Sequence, residues 1–296
     1  MSIITPCPIL DRLLAFAEEA GALALTHQDR GVQVTHKDGD LGQALTEADL
    51  AISRLLHAHF GPRLIEEESA DDLGHDAARV LLSEESWTFI GDPVDGTKPY
   101  AGGLASWGTM VAACRAGWPR AGVISLPAWF DDRTDPFAVR RSADQRGLIL
   151  AAAGGVAYWA PTRAGRRVGE LQPLRRPDRR THHVGWLPIP AQLYTLDYEQ
   201  GFFPWSESSA AADAALLALG RLDATCVNYK IWDAAAGLAI LEALGFRLYR
   251  WPDLAQPPAA LIDLFDRQFS AREALWLLCR DETMAERLAR AIHRRA

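Results

Sequence analysis

One stretch constrains this chain more than any other. Trp87 to Thr97, read Trp-Thr-Phe-Ile-Gly-Asp-Pro-Val-Asp-Gly-Thr, is an apolar run that ends in two carboxylates, Asp92 and Asp95. Trp87 to Ile90 has the composition of a short strand, and the acids form the charged turn that closes it. Pro93 lacks an amide hydrogen and has a fixed φ, so it stiffens the turn between them. Gly96 permits close backbone approach, and its amide with that of Thr97 opens a helix whose first donors have no internal partner. Such an end receives phosphate, because free amides and the positive end of the helix dipole both point outward. Two acids beside an anion-binding turn call for a divalent cation between them, and hard oxygen ligands select magnesium or manganese over zinc. An isolated Asp-x-x-Asp is most often a solvated turn; the flanking strand, the proline and the Gly-Thr pair argue against that here.

The rest of the composition is that of a globular chain. With 296 residues, 49% of them hydrophobic and 23% charged, it is long enough for two lobes or one large domain with a sizeable core. A net charge of −7 argues against nucleic acid as the main partner. Cys7, Cys114, Cys226 and Cys279 are scattered and form no Cys-x-x-Cys pair, which predicts reduced thiols in a cytoplasmic protein. Asp11, Arg12, Glu18 and Glu19 interrupt the first apolar segment, so it is neither a signal peptide nor a membrane span.

Taken in order, residues 9–27 show the three- and four-residue apolar spacing of an amphipathic helix. A polar segment with Lys37, Asp38 and Asp40 leads to Thr46-Glu47-Ala48-Asp49, the pattern of a capping box. His57 and His59, two apart, do not share a helix face and make a poor metal pair. Glu66-Glu67-Glu68 has the composition of a solvated face, yet it stands one element before Asp92, close enough to supply a third carboxylate. Residues 107–126 predict an antiparallel hairpin around a Gly-containing turn, with further strands at Phe137–Arg141, Leu148–Ala153 and Val156–Trp159. The division between an N-terminal lobe, 1–147, and a C-terminal α/β lobe, 148–296, falls near Gly147. Seven arginines crowd Arg163–Arg180 without interleaved aromatics, the composition of a solvated loop rather than a nucleic-acid stripe. Ser208–Leu219 predicts a helix, and Asp233 stands at the start of another that stops at Gly245, where an ordinary N-terminal cap is the simplest role for it.

Three pieces now stand in one order: Glu67-Glu68, Asp92-Pro93-Val94-Asp95-Gly96-Thr97, and Trp232-Asp233-Ala234-Ala235-Ala236-Gly237. Together they resemble the inositol monophosphatase superfamily of magnesium-dependent, lithium-sensitive phosphomonoesterases, and Thr46-Glu47-Ala48-Asp49 fits its Thr-x-x-Asp. The resemblance implies an α/β fold, the layered αβαβα sandwich of the inositol monophosphatase and fructose-bisphosphatase type, and a cytoplasmic homodimer. It also implies two or three Mg2+ ions per site, with Mn2+ as a substitute. Glu68, Asp92 and the Val94 carbonyl would hold the first ion, and Asp92, Asp95 and Asp233 the second. Thr97, paired with Asp49, would orient and help deprotonate the attacking water, with Glu68 also in the catalytic set, while the amides of Gly96 and Thr97 hold the phosphate.

The chain departs from that family in places. Glu66 replaces the glycine before the Glu pair, Ser208 stands where glycine is usual, and no carboxylate lies near Cys226 and Val227 for inositol hydroxyls. Residues 102–109 look more like the histidinol-phosphatase branch. Trp205, Glu207, Ser208, Tyr229 and Lys230 are the candidates for a leaving-group pocket, with Glu207 suited to an amino or hydroxyl group. The expected partner is a small phosphorylated metabolite, with no nucleic acid and no membrane: an inositol or sugar phosphate, histidinol phosphate, or a nucleotide 3′-phosphate. The rival of another class is a catalytically silent metal-binding interaction protein that has kept this fold.

Overall fold

Helix α1, Pro8–Asp29, buries Leu10, Leu13, Leu14, Ala17, Ala20 and Ala24 on the face that their spacing defines, and its proline sits in the first turn, where no amide is needed. The protein is described by a computed structural model over residues 7–36, 44–130, 146–178, 180–186, 188–227, 229–271 and 275–295. The expected strand at 137–141, Lys37, Asp38, Asp40 and Arg179 lie outside those residues.

After α1 come β1 (Val34–His36), β2 (Ala44–Thr46), α2 (Glu47–Phe60), β3 (Leu64–Glu66), α3 (Ala70–Leu73), α4 (His75–Ser83) and β4 (Thr88–Asp95). A single helical turn, α5 (Thr97–Ala101), precedes a run of strands: β5 (Gly108–Arg115), β6 (Trp118–Phe130), β7 (Arg146–Ala153), β8 (Val156–Arg163), β9 (Arg166–Arg167) and β10 (Gln172–Pro173). The chain continues with β11 (His183–Gly185), α6 (Pro188–Leu193), β12 (Tyr194–Leu196), β13 (Phe203–Trp205), α7 (Ala210–Ala218), β14 (Ala224–Val227) and α8 (Ile231–Ala243). Last are β15 (Arg247–Arg250), β16 (Trp276–Cys279), α9 (Glu282–Ala291) and β17 (Ile292–Arg294). Between β15 and β16 the chain makes a 3-10 turn at Leu261–Leu264.

The strands form a large sheet in the order β10-β8-β7-β6-β5-β4-β3, with β9 on β8, and a five-stranded sheet in the order β13-β11-β14-β16-β15. Alternation along each strand shows what covers each face. On β5, Met110, Ala112 and Cys114 pack with α7 and α8, whereas Val111 and Ala113 pack with α1 and α2. On β16, Leu278 meets the α7–α8 layer, whereas Leu277 and Cys279 meet Met284 and Leu288 of α9. The layers therefore run α1 and α2, large sheet, α7 and α8, small sheet, α9, the αβαβα sandwich that the resemblance implies. The division expected near residue 147 falls inside β7, which pairs along its length with β6 and β8, so the large sheet closes only at Pro173.

Helix α8 lies between two sheets and is buried on nearly every side, which is why its sequence shows no polar stripe. Its approach to β6 depends on Gly122: a Cβ there would lie 2.8 Å from the Ala236 carbonyl oxygen and 3.1 Å from its Cα. Gly122→Ala is therefore expected to push α8 off the sheet and cost about 1–3 kcal/mol, read as a lower urea midpoint with unchanged slope.

Candidate active site at the end of β4

Strand β4 is buried along its whole length and runs through Asp95, so the two acids lie within the strand and not in a turn that closes it. Asp92 pairs with Met110 and Asp95 with Gly108, a register that inserts one extra residue into β4. In a regular strand, residues three apart face opposite sides; one inserted residue returns both to the same side. Pro93 sits in the bulge, where a missing amide costs no ladder bond.

The shared face looks onto the beginnings of α7 and α8. Asp95 accepts hydrogen bonds from the Ser209 hydroxyl, from Ala211 N at 2.7 Å and from Ala210 N at 3.1 Å. Ser209 also caps α7 by accepting from Ala212 N at 3.1 Å. Asp233 is the third residue of α8, not the N-cap expected of it; Lys230 holds that position and its amide donates to Asp233 at 2.9 Å. Asp233 is also hydrogen-bonded side chain to side chain with Asp92. Ligand oxygens of Asp92, Asp95 and Asp233 lie within 4.8 Å of one another.

Burial dominates the electrostatics of this centre. Asp92 is pushed far above the usual carboxylate range by desolvation, then by the charges of Glu67, Asp233 and Asp95. Asp233 is pushed up to about 8 by desolvation and by the charges of Asp95 and Glu67. Asp95 is raised by desolvation against the lowering effect of Ser209 and of the Ala211 and Ala210 amides. Oδ1 of Asp92 is buried and has no hydrogen-bond partner. Such a site stores repulsion that a cation would relieve.

The three glutamates before Ser69 have different surroundings. The charge of Glu67 acts on all three aspartates; Glu68 is the ligand expected from the sequence. Glu66, placed where glycine is usual, is fully buried and holds the turn: it accepts from Ser53 Oγ at 3.0 Å and from Glu68 N at 2.9 Å, and His57 Nε2 lies 3.3 Å away. His59 turns instead to Glu19, so the two histidines serve different acids.

Thr97 opens α5 and donates its hydroxyl to the Val94 carbonyl at 3.0 Å. Gly96 takes φ 80° with its ideal Cβ position 3.0 Å from both the Ser106 carbonyl and Ser209 Cβ, so only glycine lets β4 reach the start of α7. Asp49 accepts from Thr46 N at 2.7 Å and from Thr46 Oγ1 at 2.5 Å, forming the capping box read in the sequence.

The five pocket candidates do not converge. Trp205 Nε1 donates to Glu207 at 2.9 Å, and both line one cavity with Trp129 and His183. Ser208 follows at φ 56°, its amide donating to Ser206 Oγ at 3.3 Å. Tyr229 faces the acidic centre, its hydroxyl pushed up by burial and by Asp213, Asp233 and Asp95. Lys230 turns away and donates to the Gln268 carbonyl at 2.7 Å. Ser209 and Asp213 were not singled out in advance, though a serine before an alanine run is a cap signal. Asp213 is buried, accepts from Thr225 Oγ1 at 3.1 Å, and is pushed up to about 8 by desolvation.

A model of the inositol monophosphatase family matches residues 8–295. A Streptomyces griseus protein named glucose-1-phosphate thymidylyltransferase is 30% identical over 242 residues, covering 78% of this chain and 82% of that relative. A histidinol-phosphatase of Mycobacterium tuberculosis is 37% identical over 75 residues, covering 22% of this chain and 29% of that relative. Among solved structures, the IMPase of Thermotoga maritima superposes with a TM-score of 0.63 at 19% identity, covering 95% of this chain and 96% of that one. CysQ from Bacteroides thetaiotaomicron, described as a bacterial member of the inositol monophosphatase family, gives 0.65 at 17% identity, covering 93% and 98%. At these identities the structures establish a shared fold.

Two substitutions test the buried acids. Glu66→Ala strips Ser53 Oγ and the Glu68 amide of their acceptor and is expected to cost about 3 kcal/mol in urea unfolding, with Glu66→Gln costing less than half as much. For Asp213 the sign runs the other way. Below about pH 4 the acid is protonated in both the folded and the unfolded chain; as pH rises toward 8 the unfolded chain releases a proton that the native state keeps, so stability falls. Asp213→Asn is expected to add on the order of 3–5 kcal/mol at pH 8 and little at pH 4, read from urea midpoints at both.

Proposed function

Because the chain belongs to the inositol monophosphatase family and is on that ground a phosphomonoesterase, we propose that it hydrolyses a small phosphate monoester using magnesium, or manganese in its place, at the Asp92, Asp95 and Asp233 centre. The observation that carries this reading is the packing of three carboxylates with ligand oxygens within 4.8 Å, one of them with a buried, unpaired Oδ1. The donor set is all oxygen and dense in negative charge, which suits a hard divalent cation.

Asp92 is central and would be shared between two ions. Asp95 and Asp233 would complete one site, and the Val94 carbonyl with Glu67 the other. We assign Glu67 in place of Glu68 because its charge reaches all three aspartates. When bound, such ions neutralise the phosphate and lower the pKa of the attacking water. The chain's own residues supply the remainder. The Gly96 and Thr97 amides receive phosphate oxygens, and Thr97 Oγ1 orients the water and relays its proton toward Asp49. Most of the rate then comes from positioning and charge, as phosphoryl transfer requires. Assembly as a homodimer and residence in the cytoplasm belong to the same proposal; the four cysteines, all free and three of them buried, accord with a reducing compartment. Among the described residues no helix is long and apolar enough to cross a membrane.

Phosphate release is measured over inositol 1-phosphate, histidinol phosphate, adenosine 3′-monophosphate and glucose 1-phosphate, with magnesium and with chelator. Magnesium-dependent release is expected, with a loss on the order of 100-fold or more in Asp95→Asn. Glu67→Gln is expected to raise the magnesium requirement far more than Glu68→Gln; the reverse would return the ligand role to Glu68. Glucose 1-phosphate is also assayed with thymidine triphosphate, since pyrophosphate release would favour the nucleotidyl transfer named for the S. griseus relative. Tight magnesium binding with no release from any ester would favour a silent binding protein.

A further inference from the structure

A cavity of about 350 Å³ lies along α7, lined from Glu207 just before the helix to Leu219 just after it, a size within the range of small-molecule pockets. Its walls are Trp129, Trp205 and His183, its floor is made of leucines at the end of α7, and its charged groups are Glu207 and Arg221. Two connections tie it to the acids. Glu207 precedes by two residues Ser209, whose hydroxyl donates to Asp95, so the backbone between them spans at most about 7 Å. Trp129 leaves the large sheet at the same end: Asp95 pairs with Gly108, Thr109 with Ser125, and β6 continues from there to Trp129.

The wall is ordered before any ligand arrives. Trp205 is 49% exposed, yet its indole N–H is committed to Glu207 at 2.9 Å, which fixes ring and carboxylate together. His183 meets the Trp205 ring edge-on, with centroids 6.3 Å apart and an interplanar angle of 86°. An exposed indole braced in this way offers a flat face, and Glu207 keeps a second oxygen as an acceptor. The leucines offer no partner to the hydroxyls of a polyhydroxylated ring, which leaves only Glu207, Arg221 and His183 to serve them.

We propose that this cavity receives the leaving group of the substrate, and that this group carries a flat, nitrogen-bearing aromatic ring which stacks on Trp205 and donates an N–H to Glu207. The proposal rests on the phosphomonoesterase reading. It sets the substrate class: a heteroaromatic phosphomonoester, with the phosphate at the Asp95 end of α7 and the ring toward Trp129.

The test uses the full chain with magnesium. Values of kcat/KM are measured for histidinol phosphate and adenosine 3′-monophosphate against glycerol 2-phosphate, and binding of free histidinol and adenosine is followed by calorimetry. The expected result is a preference of about tenfold or more for at least one aromatic ester, and binding of its free alcohol. In Trp205→Ala and Glu207→Gln that preference is expected to fall about tenfold, mainly through KM, with the alcohol bound correspondingly more weakly. Glycerol 2-phosphate turned over as well as both aromatic esters, with neither alcohol bound, would overturn the proposal while leaving the phosphatase reading intact. Dissociation of a dimer by Trp205→Ala without change in ester preference would also overturn it, since the face would then be a subunit contact. No phosphate release from any ester, glycerol 2-phosphate included, would instead remove the reading beneath it.

Discussion

Several negative groups are drawn to one point where β4, α7 and α8 meet, and most of the architecture serves to keep them there. Asp92, Asp95 and Asp233 are raised above the ordinary carboxylate range by burial before any neighbour is counted. What holds them is a set of amides and one hydroxyl: Ala210 N, Ala211 N and Ser209 Oγ on Asp95, and Lys230 N on Asp233. Two helix beginnings aim their unpaired amides and positive dipole ends at the same place, which partly offsets the repulsion. The remaining imbalance is repulsion that a cation would relieve.

The five layers follow from that demand. For two helices to start beside one strand end, both must lie flat on the same face of the large sheet, and α8 must approach β6 at Gly122. Alanines at Ala210, Ala211, Ala212, Ala214, Ala215 and Ala218 make α7 thin enough to fit between layers. The small sheet then covers the far side of both helices, and α9 covers the small sheet in turn. Catalytic placement and core packing are therefore one problem here: moving a helix by an ångström moves a carboxylate.

Buried acids outside the centre have separate reasons. Glu66 ties β3 and the following turn to α2 through Ser53, which fixes the peptide that carries Glu67. Asp213 faces Thr225 in the small sheet, with its charge felt by Tyr229. One is a brace with several donors and the other a strained acid with one. Burial alone does not tell them apart; the number of hydrogen bonds does.

Much of this was legible in the residues. The amphipathic spacing of α1, the capping box of Thr46 and Asp49, the hairpin of β5 and β6, and the order of the three acidic motifs are local or nearly local, so composition and spacing determine them. That the charge of Glu67 acts on the three aspartates was not legible, because three glutamates in a row give no sign of which one faces inward. The same holds for the pocket candidates: Trp205 and Glu207 share a wall, while Lys230, one residue from Tyr229, turns to Gln268. The boundary expected near Gly147 lies within β7, because sheet pairing, not composition, decides where a sheet ends. The sequence by itself determined which chemical groups the chain commits to its centre and in what order. Tertiary structure alone decided which of them meet, because the bulge at Pro93 and the packing of α7 and α8 set side-chain direction across more than a hundred residues of chain.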